Sequence, residues 1–278
     1  MTAMAHAIWS GSVGFGLVNI PVSVYSGETR EELGFKMLDK RDMAPIGYKK
    51  VNKKTGEEVK KQDIVKGYEV EDGEFVTVTD DELRRAAPDK TQRIDILDFV
   101  DADDLDPAFL SAPYYLEPGA KADKVYGLLR EALKRTKKVG IATVVLRAKQ
   151  YLAAVLPRDE ALMMVLLRYA YEVRSPDELR LPSGDAKKLK ITEPELKMAE
   201  RLIEDLAAPW DPSRYHDEYR DAVLEFIKKK SESGGAKQVE FPKAAEVPKP
   251  PDDIMGLLKQ SVMHSSKSKS PGRKPLQH

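Results

Sequence analysis

From Ile141 to Tyr171 the chain reads IATVVL RAKQ YLAAVL PRDE ALMMVLLRYAY. Three apolar runs, Ile141 to Leu146, Tyr151 to Leu156 and Ala161 to Tyr171, are separated by short charged breaks. Runs of this length, rich in β-branched and large apolar residues and bounded by polar turns, predict a meander of antiparallel strands. They are also too short to cross a bilayer, so the feature that predicts sheet excludes a membrane-spanning helix here.

Working outward, Ile8 to Tyr25 alternates apolar and polar positions, with Val18, Ile20, Val22 and Val24 on one face. It predicts strand, with Gly11, Gly14 and Gly16 at bends or bulges and Pro21 at an edge or bulge. Tyr68 to Val70, the Asp72-Gly73 pair and Phe75 to Val78 predict a hairpin. Thr79 with Glu82 forms a capping box that opens a short helix. Strands are expected at Ile94 to Val100 and around Tyr114 to Leu116, and with the meander they suggest a barrel. Asp123 is expected to cap an amphipathic helix carrying Val125, Leu128, Leu129, Ala132 and Leu133, and Gly140 to end it.

Past the meander, Pro182 to Asp185 breaks the pattern, and Thr192 with Glu195 predicts a helix with Leu196, Ala199, Leu202, Ile203 and Leu206 on one face. An aromatic helical stretch with Trp210, Tyr215, Tyr219, Leu224 and Phe226 follows. Ser231 to Ala236 is a linker, and Pro242, Pro248, Pro250 and Pro251 keep the next stretch out of any core. Asp252 is expected to cap a short helix of Ile254, Met255, Leu257 and Leu258. The stretch from Lys267 to Lys274 is basic and expected to be disordered.

Charge is balanced overall, 46 Lys and Arg against 46 Asp and Glu, which excludes a globally basic composition. It is not balanced locally. Residues 36–66 hold ten basic groups against five acids, residues 67–123 five against sixteen, and residues 124–149 eight against Glu131 alone. Such blocks suit a polyanion cradled by one face and repelled by another, although ordinary solvated faces also give them. With no cysteine, disulfides, thiolate metal sites and cysteine nucleophiles are excluded. Residues 1–22 have no basic start and carry Asn19 and Pro21 where a leader needs apolar residues, so the expected location is the cytoplasm.

Catalytic motifs are missing. The chain has no phosphate-cradling glycine loop ending in Gly-Lys-Ser/Thr and no serine in a nucleophile elbow, and its four histidines stand singly. Asp101, Asp103, Asp104 and Asp106 resemble a calcium loop superficially, but Asp106 stands where that loop needs Gly and Ala112 where it needs Glu. A metal-dependent nuclease built on these four acids is the alternative from a different class, and a general nucleic-acid chaperone is a third.

The run Ala7-Ile8-Trp9-Ser10-Gly11-Ser12-Val13-Gly14-Phe15-Gly16-Leu17-Val18-Asn19-Ile20-Pro21-Val22 resembles the opening of bacterial Ku proteins. Ile64-Val65-Lys66-Gly67-Tyr68-Glu69, Leu128 to Leu133, Leu146-Arg147-Ala148-Lys149, Glu195 to Ala199 and Tyr215-His216-Asp217-Glu218-Tyr219 agree in order, over roughly residues 5 to 230. Many relatives carry Cys-x-x-Cys after the tyrosine matching Tyr48. Here Val51-Asn52-Lys53-Lys54-Thr55-Gly56 stands there, which removes any metal or redox role for that loop and adds two lysines.

The resemblance implies a mixed β/α fold: a Ku-type β-barrel core over residues 1–186 with inserted bridge strands at about 30–92, a helical C-terminal arm over 187–230 for dimerisation, and a flexible tail over 231–278 of linker, short helix and basic segment. It implies a non-enzymatic repair protein, nucleoid-associated and without cofactors, that binds double-stranded DNA ends as a ring-shaped homodimer in non-homologous end joining and recruits DNA ligase D. The DNA contacts expected on this reading are Lys36, Lys40, Arg41, Lys49, Lys50, Lys53, Lys54, Lys60 and Lys61 on the bridge and Arg147 and Lys149 on the barrel. Lys267, Lys269, Arg273 and Lys274 in the tail complete the set. Leu196, Leu202, Leu206, Trp210, Tyr215 and Tyr219 are expected at the dimer contact, and Asp252, Ile254, Met255, Leu257 and Leu258 at the ligase.

Overall fold

The computed structural model describes residues 6–29, 33–86, 92–147, 149–232 and 254–268. The chain divides into two units, residues 1–175 and 176–278.

The first unit begins with β1 (Trp9–Phe15) and β2 (Val18–Ser26), a hairpin in which Phe15 faces Val18 across Gly16 and Leu17. Ile8 to Tyr25 is therefore two strands and not one. Gly16 is the turn itself, at φ +57°, a left-handed conformation that glycine adopts without a Cβ penalty. Pro21 lies inside β2, and β2 pairs on both sides, with pairing to its second neighbour starting one residue later, at Val22. The missing N–H of Pro21 thus falls where that second ladder has not begun. Gly11 is fixed by crowding: an added Cβ would collide with the Gln92 carbonyl oxygen.

The chain then leaves the barrel for β3 (Lys66–Glu71) and β4 (Glu74–Val78), an antiparallel pair turning at Asp72-Gly73 as expected. Helix α1 (Asp80–Ala86) opens on the expected box: the Glu82 carboxylate accepts from the Thr79 amide at 2.8 Å, and the Thr79 hydroxyl accepts from the Glu82 amide at 3.2 Å. The chain returns through β5 (Arg93–Asp101) and β6 (Leu110–Pro118), crosses helix α2 (Asp123–Thr136), and closes with β7 (Lys138–Leu146), β8 (Lys149–Arg158) and β9 (Ala161–Leu167). The seven strands form a closed barrel in the order β1-β2-β6-β9-β8-β7-β5, sealed by a parallel β1–β5 pair. The meander is present, with its third strand ending at Leu167 and not Tyr171.

Val13, Ile20, Val24, Ile94, Ala142, Ala153, Val155, Leu162 and Met164 are at 0% exposure in the barrel. Burying each of the larger side chains contributes roughly 1.5–3 kcal/mol. Helix α2 adds Tyr126, Leu129 and Leu133 to this core, whereas Leu128, expected on the same apolar face, is exposed. The Tyr126 hydroxyl donates to the Leu116 carbonyl at 2.6 Å and accepts from the Leu162 amide at 2.5 Å, joining helix, β6 and β9. Burial pushes this phenol above its ordinary pKa. The N-cap of α2 is Ala122, not Asp123, and the helix ends at Lys137 in a left-handed conformation. Gly140 lies in β7, pressed against Ile96.

In the second unit, α3 (Glu193–Leu206) starts at Thr192 with the expected box, the Glu195 carboxylate accepting from the Thr192 amide at 2.8 Å. Trp210 and Tyr215 stack with ring centroids 5.3 Å apart in a loop, because Pro212 breaks the helical stretch, and α4 (Glu218–Glu232) begins only afterwards. Helix α5 (Ile254–Ser268) packs on α3 and runs ten residues past Leu258. With no Gly or Pro from Leu257 to Ser270 to stop it, the helix continues through Lys267, which was expected to be disordered. Asp252, Lys269, Arg273 and Lys274 lie outside the described residues.

Candidate nucleic-acid interface

The register places the strand ends on two rims. Ser26 ends β2 opposite Tyr114 of β6, Leu110 faces Leu167 at the end of β9, Leu146 faces Lys149, and Arg93 opens β5 beside Ser12. The C-terminal end of β2, the N-terminal end of β5 and the β7–β8 turn with Arg147 and Lys149 therefore share one rim. The insertion between β2 and β5 springs from that rim, and the α2 connection bridges the opposite one.

Nothing described between Val24 and Ile94 is buried. The insertion is held by backbone pairing instead. In a first finger, Ile46 N–H donates to the Met37 carbonyl at 3.0 Å and Asp39 N–H to Ala44 at 2.8 Å. In a second, Val59 N–H donates to Lys50 at 2.8 Å and Asn52 N–H to Glu57 at 2.9 Å. Lys53 and Lys54 sit at the second tip, where the Asn52 side chain accepts from the Lys54 amide at 2.8 Å and Gly56 takes φ +74°.

The nine bridge cations fall into two groups. Arg41 is tied to Asp39 at 2.5 Å, and this guanidinium holds the Asp39 carboxyl below its usual range. Lys49 is tied to Glu58 at 2.7 Å. Lys36, Lys40, Lys50, Lys53, Lys54, Lys60 and Lys61 are exposed and make no ion pair among the described residues. Lys50 and Lys61 line a groove of about 470 Å³ with Lys66, which pairs with Asp80 at 2.7 Å. On the barrel, Arg147 occupies the β7–β8 turn at φ +49°, and the Lys149 ammonium lies 5.1 Å from the Tyr151 ring centroid. Lysines on a backbone-paired scaffold give attraction to phosphates without base readout.

The four acids Asp101, Asp103, Asp104 and Asp106 do not converge. Asp101 pairs with Lys138 at 3.0 Å, Asp106 accepts from the Ala108 amide at 2.8 Å to cap a turn, and no group of three or more His, Asp or Glu able to hold a metal occurs among the described residues. Nor is any described helix long and apolar enough to cross a membrane.

Residues 14–198 match the Ku family, described as the Ku70/Ku80 beta-barrel domain. The chain belongs to the Ku family. Over 265 residues it is 45% identical to the non-homologous end joining protein Ku of Coxiella burnetii, spanning 95% of this chain and 97% of that one. Its similarity to the Pseudomonas syringae pathovar tomato protein of the same name is 42% over 276 residues, spanning 98% and 91% of the two chains. To the Mycobacterium tuberculosis protein of that name it is 37% over 270 residues, spanning 95% and 97%. The barrel expected from the opening motif is thus the Ku barrel.

The residues expected at a dimer contact separate in this Ku chain. Leu202 is half-buried on α3 along with Met198 and Ala199, while Leu196, Ile203 and Leu206 are exposed, as are Trp210, Tyr215 and Tyr219. Those expected at the ligase divide as well: Met255 and Leu258 are half-buried and Val262 is buried on α5, and Ile254 and Leu257 are exposed. Sequence reasoning passed over Tyr169 and Tyr171, read as the end of a strand. Their spacing just past an apolar run, close to Arg168, was the available signal.

Proposed function

We propose that this Ku protein binds the ends of double-stranded DNA in non-homologous end joining, as a non-catalytic homodimeric ring that recruits DNA ligase D on the nucleoid. The reading is carried by the insertion: seven lysines without an ion pair among the described residues, on an arm whose described residues form no buried core, springing from the rim that bears Arg147 and Lys149. An arm that buries nothing of itself gains order by lying along a polyanion or a second subunit. Breaks occur at any sequence, and lysine–phosphate contacts serve any sequence alike.

Support for a homodimer comes from Leu196, Ile203, Leu206, Trp210 and Tyr219, five large apolar side chains left in solvent on and beside α3 and α4. The ligase contact is assigned to the open side of α5, at Ile254 and Leu257. The test is competition between linear duplex and covalently closed circles of the same sequence. A ring admits duplex only at a terminus, so linear DNA should compete and circles should not. Equal competition would overturn the ring and leave a general nucleic-acid chaperone.

A further inference from the structure

The rim that carries Arg147 and Lys149 also carries an aromatic cluster that the duplex reading does not use. Past β9, a single helical turn at Ala170–Glu172 sets the rings of Tyr169 and Tyr171 parallel, with centroids 5.6 Å apart and planes 6° apart. The turn is fixed by its own bonds. The Glu172 carboxylate accepts from the Tyr169 amide at 2.8 Å, and the Glu172 amide donates to the Tyr169 carbonyl at 2.9 Å. Arg168 anchors it to the barrel by donating to the carbonyls of Ala108 and Leu110. Tyr169 is half-buried, whereas Tyr171 is 81% exposed, with one face against Tyr169 and the other toward solvent.

Beside Tyr169, which stacks on Tyr171, is a cleft of about 200 Å³ lined by Lys149, Tyr151, Arg168, Tyr169 and Glu172. The Arg168 guanidinium and the Glu172 carboxylate are engaged in holding the turn. Lys149, packed over Tyr151, and the neighbouring Arg147 make no ion pair among the described residues. A rigid aromatic face next to unpaired cations is the combination that binds single-stranded nucleic acid: the ring stacks a base and the cations take the adjoining phosphate.

We propose that Tyr171, backed by Tyr169, is a stacking platform for the unpaired nucleotides of a DNA end, with Lys149 and Arg147 meeting their phosphates. This rests on the end-binding reading and adds the preference that phosphate contacts alone leave open. Ends with a single-stranded extension bind more tightly than blunt ends.

The experiment uses the full chain with three probes: a blunt duplex, the same duplex with a short 3′ thymidine extension containing 2-aminopurine, and that extension strand alone. The extension should tighten binding about 5- to 150-fold over the blunt duplex. Tyr171→Ala should remove that advantage and leave blunt affinity unchanged, and Tyr171→Phe should keep it, since the ring and not the hydroxyl stacks. The 2-aminopurine fluorescence of the free strand should be quenched by the native chain and not by Tyr171→Ala. Equal affinity for blunt and extended ends, or a Tyr171→Ala loss shared by both, overturns the platform. The two readings separate cleanly. Quenching through Tyr171 with no duplex binding sinks end recognition and keeps the platform, and duplex-end binding without quenching does the reverse.

Discussion

At the scale of single residues, the fold sorts charges that the sequence presents as equals. Nine basic side chains in the insertion read alike, yet Arg41 and Lys49 each have a carboxylate at hydrogen-bond distance and the other seven have none among the described residues. Exposed pairs add little stability, but they neutralise charge that a phosphate would otherwise meet. Replacing Lys50, Lys53, Lys54 and Lys61 together by Ala should lower DNA affinity for all sequences alike. It should also flatten the dependence of log K on log salt by about 0.9 for each side chain that meets a phosphate. Arg41→Ala with Lys49→Ala should flatten it less, because Asp39 and Glu58 already engage these two cations and leave them fewer phosphate contacts to lose. Salt titrations read both, and an unchanged slope in the four-lysine variant would remove the insertion from the interface. The cluster was legible in the sequence. Which members are paired was not, because the partners arrive only when each finger folds back.

At the scale of elements, regularity decided what could be read. The meander was visible because three apolar runs alternate with charged turns, and the Thr79 and Thr192 boxes because a cap needs only four consecutive residues. Gly16 and Gly140 were misjudged because a glycine marks a departure from average backbone without saying which one. The first is a hairpin turn and the second a packed strand position, while α2 stops on a left-handed lysine that no composition rule singles out. The rim tyrosines were missed because their parallel stacking depends on a turn that only the finished barrel anchors.

The cap of α3 carries its own pH dependence. The Thr192 amide, and after it the Thr192 hydroxyl, hold the Glu195 carboxyl below its ordinary value of 4.5. A carboxylate lowered on folding stabilises above that ordinary value, and the contribution is lost as pH falls through the folded one. Thr192→Ala should speed amide hydrogen exchange in the first turn of α3 about fivefold near neutral pH. The difference from the native chain should shrink as pH drops below about 4.5. A difference independent of pH would assign the effect to helix propensity and not to the cap.

At the scale of the whole molecule, the exposed side chains of the second unit set an expectation for assembly. If Leu206 and Trp210 lie between subunits, Leu206→Asp with Trp210→Ala should bring the mass in sedimentation from twice 31.2 kDa down to 31.2 kDa. Because the barrel core lies in the first unit, its thermal unfolding should be unaffected. A native chain that sediments at 31.2 kDa at micromolar concentration would dispose of the homodimer. The barrel carries a separate consequence. Its strands β2 and β5 flank β1 and open onto one rim, and of the 66 residues between Ser26 and Arg93 none of those whose burial is described is buried. From Ser26 to Arg93 is two strand spacings sideways, about 10 Å, and five residues along the strand, about 16 Å, a span of about 19 Å. A Gly/Ser segment of about eight residues covers it. The insertion is therefore a removable cassette: the shortened chain should still melt cooperatively as a β protein while losing its grip on DNA. A shortened chain that fails to fold would show that the barrel needs its arm. A barrel that folds without it leaves the arm free to vary in length and charge between relatives at no cost to the fold that carries it.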